Sequence, residues 1–159
     1  MQSFNNIILI WVNLVLLHYN VFIEVKMASI IKEILENAKT IAVVGLSDNS
    51  ARTSYIVSRY MQDRGYKIIP VNPAIKESLG EKAYPSLRDV PDKVDIVNVF
   101  RRSNDVPPVA DDAIAIKARV IWMQEGIVNE EAAQKAESAG LTVIMDRCIM
   151  VEHARMILE

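Results

Sequence analysis

Five short apolar runs, residues 40–44, 66–71, 94–100, 120–123 and 141–145, alternate along this chain with stretches of helical periodicity. Polar side chains do not alternate through these runs, so each reads as a strand buried on both faces. Strands of that kind belong to a parallel sheet with helices packed on both sides. Between them, Ile30, Ile31, Ile34 and Leu35 share one helix face opposite Lys32, Glu33 and Glu36. Residues 54–64 bury Ile56, Val57, Tyr60 and Met61 and are closed by Gly65, a C-terminal cap. A helix over 106–118 tolerates Pro107 and Pro108 only in its first turn, Asn129 caps a helix that ends before Gly140, and a last helix is predicted from Val151 to Leu158. Right-handed crossovers then favour one α/β domain, a Rossmann-like doubly wound five-stranded parallel sheet with strand order 3-2-1-4-5.

A chain of 159 residues, 51% hydrophobic and 24% charged, is long enough for one such domain and its core. Its formal charge of -2 argues against a nucleic-acid partner, whose phosphates need a basic face. Cys148 is the only cysteine, which excludes an internal disulfide framework and fits a reducing, cytoplasmic compartment. Residues 7–23 are the most hydrophobic part, yet Asn13, His18 and Asn20 interrupt them and no Lys or Arg precedes them. Met27-Ala28-Ser29 reads as a fresh start followed at once by an amphipathic helix. Residues 1–26 are therefore expected to be a spurious or disordered hydrophobic extension, with a membrane anchor or an extra packed element as alternatives, and 27–159 the domain.

The functional signal is positional. Gly45-Leu46-Ser47, Asn72-Pro73, Arg101-Arg102-Ser103, Gln124-Glu125-Gly126 and Asp146-Arg147-Cys148 each follow the carboxyl end of a strand, so they share one rim. Open parallel sheets bind ligands on that rim where strand order reverses, which the expected order puts between the first and fourth strands. A glycine at the end of the first strand lets the backbone approach a phosphate, and the helix that follows aims unpaired N–H groups at it. An NAD site wants an acidic residue at the end of the second strand to hold the ribose, and Asn72 stands there instead. One glycine, no such carboxylate and nearby arginines suit a ligand richer in phosphate, such as coenzyme A with about four negative charges.

Taken in series, Ile41 through Ser47, Gly65-Tyr66 with Pro70 through Pro73, Leu79-Gly80 with Ala83 through Ser86, Val99 through Arg102, Val120 through Gln124 with Gly126, and Asp146-Arg147-Cys148 with Glu152-His153 form a recognisable pattern. The chain resembles the small stand-alone CoA-binding domain proteins, which are similar to the CoA-binding domain of the succinyl-CoA synthetase alpha subunit. The resemblance covers about residues 30–157. It implies that Gly45, Leu46 and Ser47 line the diphosphate with Arg52 and Ser54 close by. It implies further that Val71, Asn72 and Pro73 border the adenosine, that Phe100 and Arg101 form the crevice floor, and that Gln124 and Gly126 lie on the pantetheine side. Members often carry prolines where Ser50 and Thr53 stand, and a Lys directly after Asn-Pro where Ala74 stands, so Lys76 is expected to serve the 3'-phosphate.

No Walker-type run, metal-ligand cluster or nucleophile elbow is present in the sequence. The expected activity is binding of CoA or acyl-CoA without evident catalysis. An NAD(H)-dependent enzyme or redox sensor and a CoA-binding subunit of an acyl-CoA ligase assembly are the alternatives, with a homo-oligomer or a ligase chain as partner. Cys148, between the fifth strand and the last helix and beside Arg147, reads either as a buried inert thiol or as a reactive one facing the pantetheine.

Overall fold

The computed structural model describes residues 2–157. Five parallel strands, β1 (Thr40–Val44), β2 (Lys67–Val71), β3 (Ile96–Val99), β4 (Val120–Met123) and β5 (Thr142–Ile144), form one sheet. Five helices surround it: α1 (Gln2–Asn37), α2 (Thr53–Asp63), α3 (Val106–Ala115), α4 (Glu130–Ser138) and α5 (Ile149–Ile157). Side chains of β1, β3 and β4 supply core to both faces. On one face Ile31 and Leu35 of α1, Val57 and Met61 of α2 and Ile149 of α5 cover Ile41, Val43, Ile96 and Trp122. On the other, α3, α4 and the segment between β2 and β3 cover Ala42, Val97, Ile121 and Met123. This is the doubly wound α/β class expected from the sequence.

The hydrogen-bonded order of the strands is β2-β1-β3-β4-β5, so the third strand pairs with the first and the second lies at an edge. That differs in detail from 3-2-1-4-5, and it moves the reversal of strand order to between β1 and β3. Pro70 gives the physical reason. A proline removes a ladder donor and is confined to edge strands. Its carbonyl accepts the Tyr84 N–H at 2.9 Å on the outer side of β2, the side to which its missing N–H would also have pointed. Ile96–Val99, buried at every position, takes the central place instead. The chain crosses from β2 to β3 without an α-helix, through a small hairpin (Glu77–Ser78 with Glu81–Lys82) and a 3-10 turn at Leu87–Asp89.

Helix boundaries follow the local chemistry. Asn129 caps α4, accepting the Ala132 N–H at 2.8 Å, and Gly65 follows α2 at φ 93°. The last helix starts at Ile149, two residues ahead of the expected position. Before Ile30, α1 continues unbroken back to Gln2, so the segment expected as an extension is helical and continuous with the domain's first helix.

Two titrating groups, the half-buried Asp95 and the buried His153, tie elements together. The Asp95 carboxylate accepts the Lys39 N–H at 2.9 Å, the Thr40 N–H at 3.1 Å and the Thr40 hydroxyl at 3.0 Å, clamping the entry to β1 against β3. Burial pushes this carboxyl up, but those bonds and the charge of Arg119 outweigh it and hold it below its ordinary value. His153 of α5 is buried with ring centroids 5.6 and 5.7 Å from Tyr60 and Tyr66, and its Nδ1 lies 3.2 Å from the Tyr60 hydroxyl. Burial first, and then the charge of Arg64, push the imidazole down. In both cases the unfolded chain binds the proton at a higher pH than the native one. Stability is thus fully present at neutral pH and is lost as pH falls, first below about 6.5 for His153 and then below about 4 for Asp95. Urea midpoints measured from pH 8 down to about 2 should fall through both windows, and His153→Phe should flatten the upper one; a midpoint constant from pH 7.5 to 5.5 in the parent chain would contradict the first.

Candidate functional site

The site grows from Gly45, where β1 ends against both of its neighbours. The Gly45 N–H donates to the Val71 carbonyl at 2.9 Å, and the Phe100 N–H donates to the Val44 carbonyl at 2.9 Å. Gly45 adopts φ 88°, and a Cβ there would press into the Phe100 carbonyl, well inside contact distance. The ends of β1, β2 and β3 therefore meet with no side chain between them.

Side-chain hydrogen bonds hold the loop beyond Gly45. Leu46 is fully buried, and its carbonyl accepts the Asn72 amide at 2.9 Å. The Ser47 N–H donates to the Ser54 hydroxyl at 3.1 Å, the Ser47 hydroxyl accepts the Asn49 N–H at 3.1 Å, and Ser78 donates to the Ser47 carbonyl at 2.8 Å. Asn72 also accepts the Ala74 N–H at 3.0 Å, so its amide braces two loops at once. The loop then enters α2 through Arg52, whose backbone is extended and whose side chain makes no capping bond. Among the described residues the N–H groups of Thr53 and Ser54 meet no protein acceptor. These orphan donors and the positive end of the helix dipole make a corner chemically suited to an anion.

A cleft of about 350 Å³ opens at this corner, lined by Gly45, Ser47, Arg52, Thr53, Ser54 and Phe100. A second cleft, of about 340 Å³, lies on the opposite face of the sheet end. Its walls are apolar, from Val44, Val71, Pro73, Pro85 and Leu87, and its mouth carries Ser86, Arg101, Asp105 and Asp112. Gly45 and the Phe100-Arg101 step form the crest between the two. Arg52 and Arg101 make no ion pair among the described residues, whereas Arg88, which also borders this region, is paired with Asp112. Two unpaired guanidinium groups flanking a glycine crest and an open helix N-terminus can neutralise several phosphate charges. No cluster of His, Cys, Asp and Glu suited to a metal ion occurs among the described residues.

The structure thus gathers Gly45, Ser47, Arg52, Ser54, Val71, Pro73, Phe100 and Arg101 around the two clefts. Leu46 and Asn72 stand behind the walls as braces. Three residues lie apart. Gln124 is buried and donates to Asn98 Oδ1 at 2.7 Å, so its amide is spent within the sheet. Gly126 donates its N–H to Asp146 at 2.7 Å in a turn outside both clefts, and Lys76 is exposed beyond them, its carbonyl taken by the Ala83 N–H. Sequence reasoning missed Pro85, Ser86 and Leu87, together with Asp105 just before α3 and Asp112 within it, as walls of the second cleft. The signal was the long crossover itself, which runs beside β2 through a Val71–Tyr84 bridge and so brings Pro85 to the rim.

Asp146-Arg147-Cys148 forms a separate junction after β5. Arg147 donates to Glu152 at 3.2 Å and to both oxygens of Glu24 at 3.1 Å, while its carbonyl accepts the Trp122 indole N–H at 2.7 Å. Cys148 is half-buried against the core cluster at the start of α5.

Residues 39–154 match the family described as CoA binding domain, and with that span all of the sheet and both clefts fall within the match. The chain belongs to this CoA-binding domain family. The uncharacterized protein YneT of Bacillus subtilis (strain 168) is 58% identical over 124 residues, 78% of this chain and 92% of that protein. A hypothetical protein from Pyrococcus horikoshii OT3 superimposes with a TM-score of 0.80 at 41% identity, covering 82% of this chain and 92% of that one. The dinucleotide forming acetyl-coenzyme A synthetase 1 of Ca. Korarchaeum cryptofilum gives a TM-score of 0.63 at 30% identity over 72% of this chain, and the match spans only 27% of that synthetase. The domain is thus related to the CoA-binding region of acyl-CoA synthetases, and this chain has the length of a fraction of them.

Proposed function

We propose that this chain binds coenzyme A, free or acylated, along the carboxyl rim of its sheet. The observation that supports this most is the pairing of two clefts across the Gly45 crest, one built of orphan N–H donors and a free arginine, the other apolar with a second arginine at its mouth. The first suits a diphosphate: Thr53 and Ser54 would donate their N–H groups, with Arg52 supplying charge. The second suits a flat heterocycle against Val71, Pro73 and Leu87, with Arg101 between it and the phosphates. CoA brings a thiol that carries acyl groups; what the residues of this rim do is bind, orient and neutralise, and no proton-transfer step is assigned to them.

NAD fits less well. The residue after β2 that would hold a ribose is Asn72, and its amide is already committed to Leu46 and Ala74. A second reading, that the domain lends its CoA site to a separate ligase chain, is favoured by the resemblance to one segment of a much longer synthetase. A reducing, cytoplasmic compartment is part of this proposal, and a single thiol with no partner in the chain is compatible with it.

Arg52→Ala tests the phosphate assignment. Loss of one charge-assisted contact should weaken CoA binding by about 1.5 to 3 kcal/mol, roughly 10- to 150-fold, without change in thermal stability because Arg52 is exposed and unpaired. Unchanged affinity in a calorimetric titration would remove Arg52 from the site.

A further inference from the structure

The largest feature that the rim does not use is the N-terminal part of α1. From residue 2 to residue 23 the helix carries no Asp, Glu, Lys or Arg, and Glu24 and Lys26 are the first charges. At about 1.5 Å per residue this stretch is about 33 Å long, close to the thickness of the hydrocarbon core of a bilayer, about 30 Å. Its described large side chains are all exposed, including the consecutive run Leu14, Val15, Leu16 and Leu17 and then Val21, Phe22 and Ile23. Four consecutive residues cover the whole circumference of a helix, so the apolar surface is not a stripe. A partner helix, a groove or a second copy of the chain covers one side only; a helix apolar all round needs an apolar solvent all round.

The helix also leaves the domain in a defined direction. Ile34 lies beside Ala118 and Val120 at the beginning of β4, whereas Met27 lies beside Met145 and Arg147 just past the end of β5. The helix thus runs antiparallel to the strands and emerges at their carboxyl ends, where Glu24 is held by Arg147. The uncharged stretch projects beyond the rim on the β5 side.

We infer that residues 2–23 span a lipid bilayer and hold the domain at the membrane surface with the carboxyl rim turned toward the lipid. Gln2, Ser3, Asn5 and Asn6 fall at the outer end of the span, and Asn13, His18 and Asn20 each add an insertion cost within it. That cost is smaller than for a full charge, the helix satisfies its own backbone throughout, and the His18 ring nitrogen Nδ1 lies 2.8 Å from the Leu14 carbonyl. The inference is independent of which ligand the rim takes.

The test uses the full chain expressed from its own first codon, with intact mass measured on the product. The full-length chain should sediment with membranes, resist alkaline carbonate extraction and dissolve only in detergent. Leu14→Arg with Leu16→Arg places two charges at mid-span, and each should lower partition into the membrane by roughly 100-fold. Both sites are exposed and apart from the domain core, so the far-ultraviolet circular dichroism and thermal transition of the domain should stay as in the parent chain. A full-length chain that is monodisperse without detergent, a double variant that remains in the carbonate pellet, or a cellular product whose mass begins at Met27 or shows removal of the stretch would each overturn the inference.

Discussion

Gly45→Ala is expected to cost the protein about 3 kcal/mol or more of stability and to remove ligand binding with it. The residue sits at φ 88°, where a side chain adds strain of about 1 to 2 kcal/mol. The added methyl would also meet the backbone carbonyl of Phe100, which cannot swing aside as a flexible side chain would. Relief requires β1 and β3 to part at their carboxyl ends, breaking the Phe100 N–H bond to Val44 and shifting the crest between the two clefts. The other glycines at positive φ have open space around the Cβ position, so Gly80→Ala or Gly126→Ala should show the conformational penalty alone. Chemical denaturation of the three variants separates the terms. Equal losses in all three would show that the contact with Phe100 is not what Gly45 is for.

Arg147→Ala should cost about 2 to 4 kcal/mol, through the carboxylate it leaves behind. The Glu152 side chain is only 7% exposed and takes Arg147 on one oxygen at 3.2 Å. Arg155 approaches the other oxygen at 3.3 Å from an exposed position and too obliquely for a hydrogen bond. Removing Arg147 leaves this buried carboxylate without its hydrogen-bonded partner and with only the exposed, obliquely placed Arg155 as counter-charge, which is more costly than the worth of the intact pair. The second partner of Arg147, Glu24, is exposed and contributes little. Combining Arg147→Ala with Glu152→Gln should therefore recover a large part of the loss, because the amide needs no counter-charge. A double variant as unstable as the single one would assign the effect to lost packing of the arginine stem.

The five strands and the rim were legible in the sequence because each strand is apolar on both faces and each ends in a turn residue with its own chemistry. Gly45 announced a backbone approach, and Asn129 and Gly65 marked helix ends that the structure places where they were read. Strand order was less legible, since right-handed crossovers permit both doubly wound arrangements. Pro70 held the deciding signal: a proline inside a strand pattern places that strand at the edge. The polar pair Asn98 and Gln124 was equally hidden. Each looked like a residue at the end or middle of an apolar run, and only the pairing of β3 with β4 shows that they satisfy each other. Asn98, a lone amide inside a buried strand, implied a buried partner, but nothing local named it. The walls of the second cleft come from a crossover and a helix far apart in the chain, so their meeting follows from tertiary packing and not from any motif. The continuity of α1 to Gln2 was obscured by Asn13, His18 and Asn20, which interrupt hydrophobicity without interrupting a helix.

The central proposal is that the carboxyl rim is a coenzyme A site. Calorimetric titration of the full chain with CoA, and separately with NAD at the same concentrations, tests it most directly. Saturable one-to-one binding of CoA is expected, with NAD giving weaker binding or none and failing to displace CoA. Absence of CoA binding to folded protein, or displacement of CoA by equimolar NAD, would contradict it.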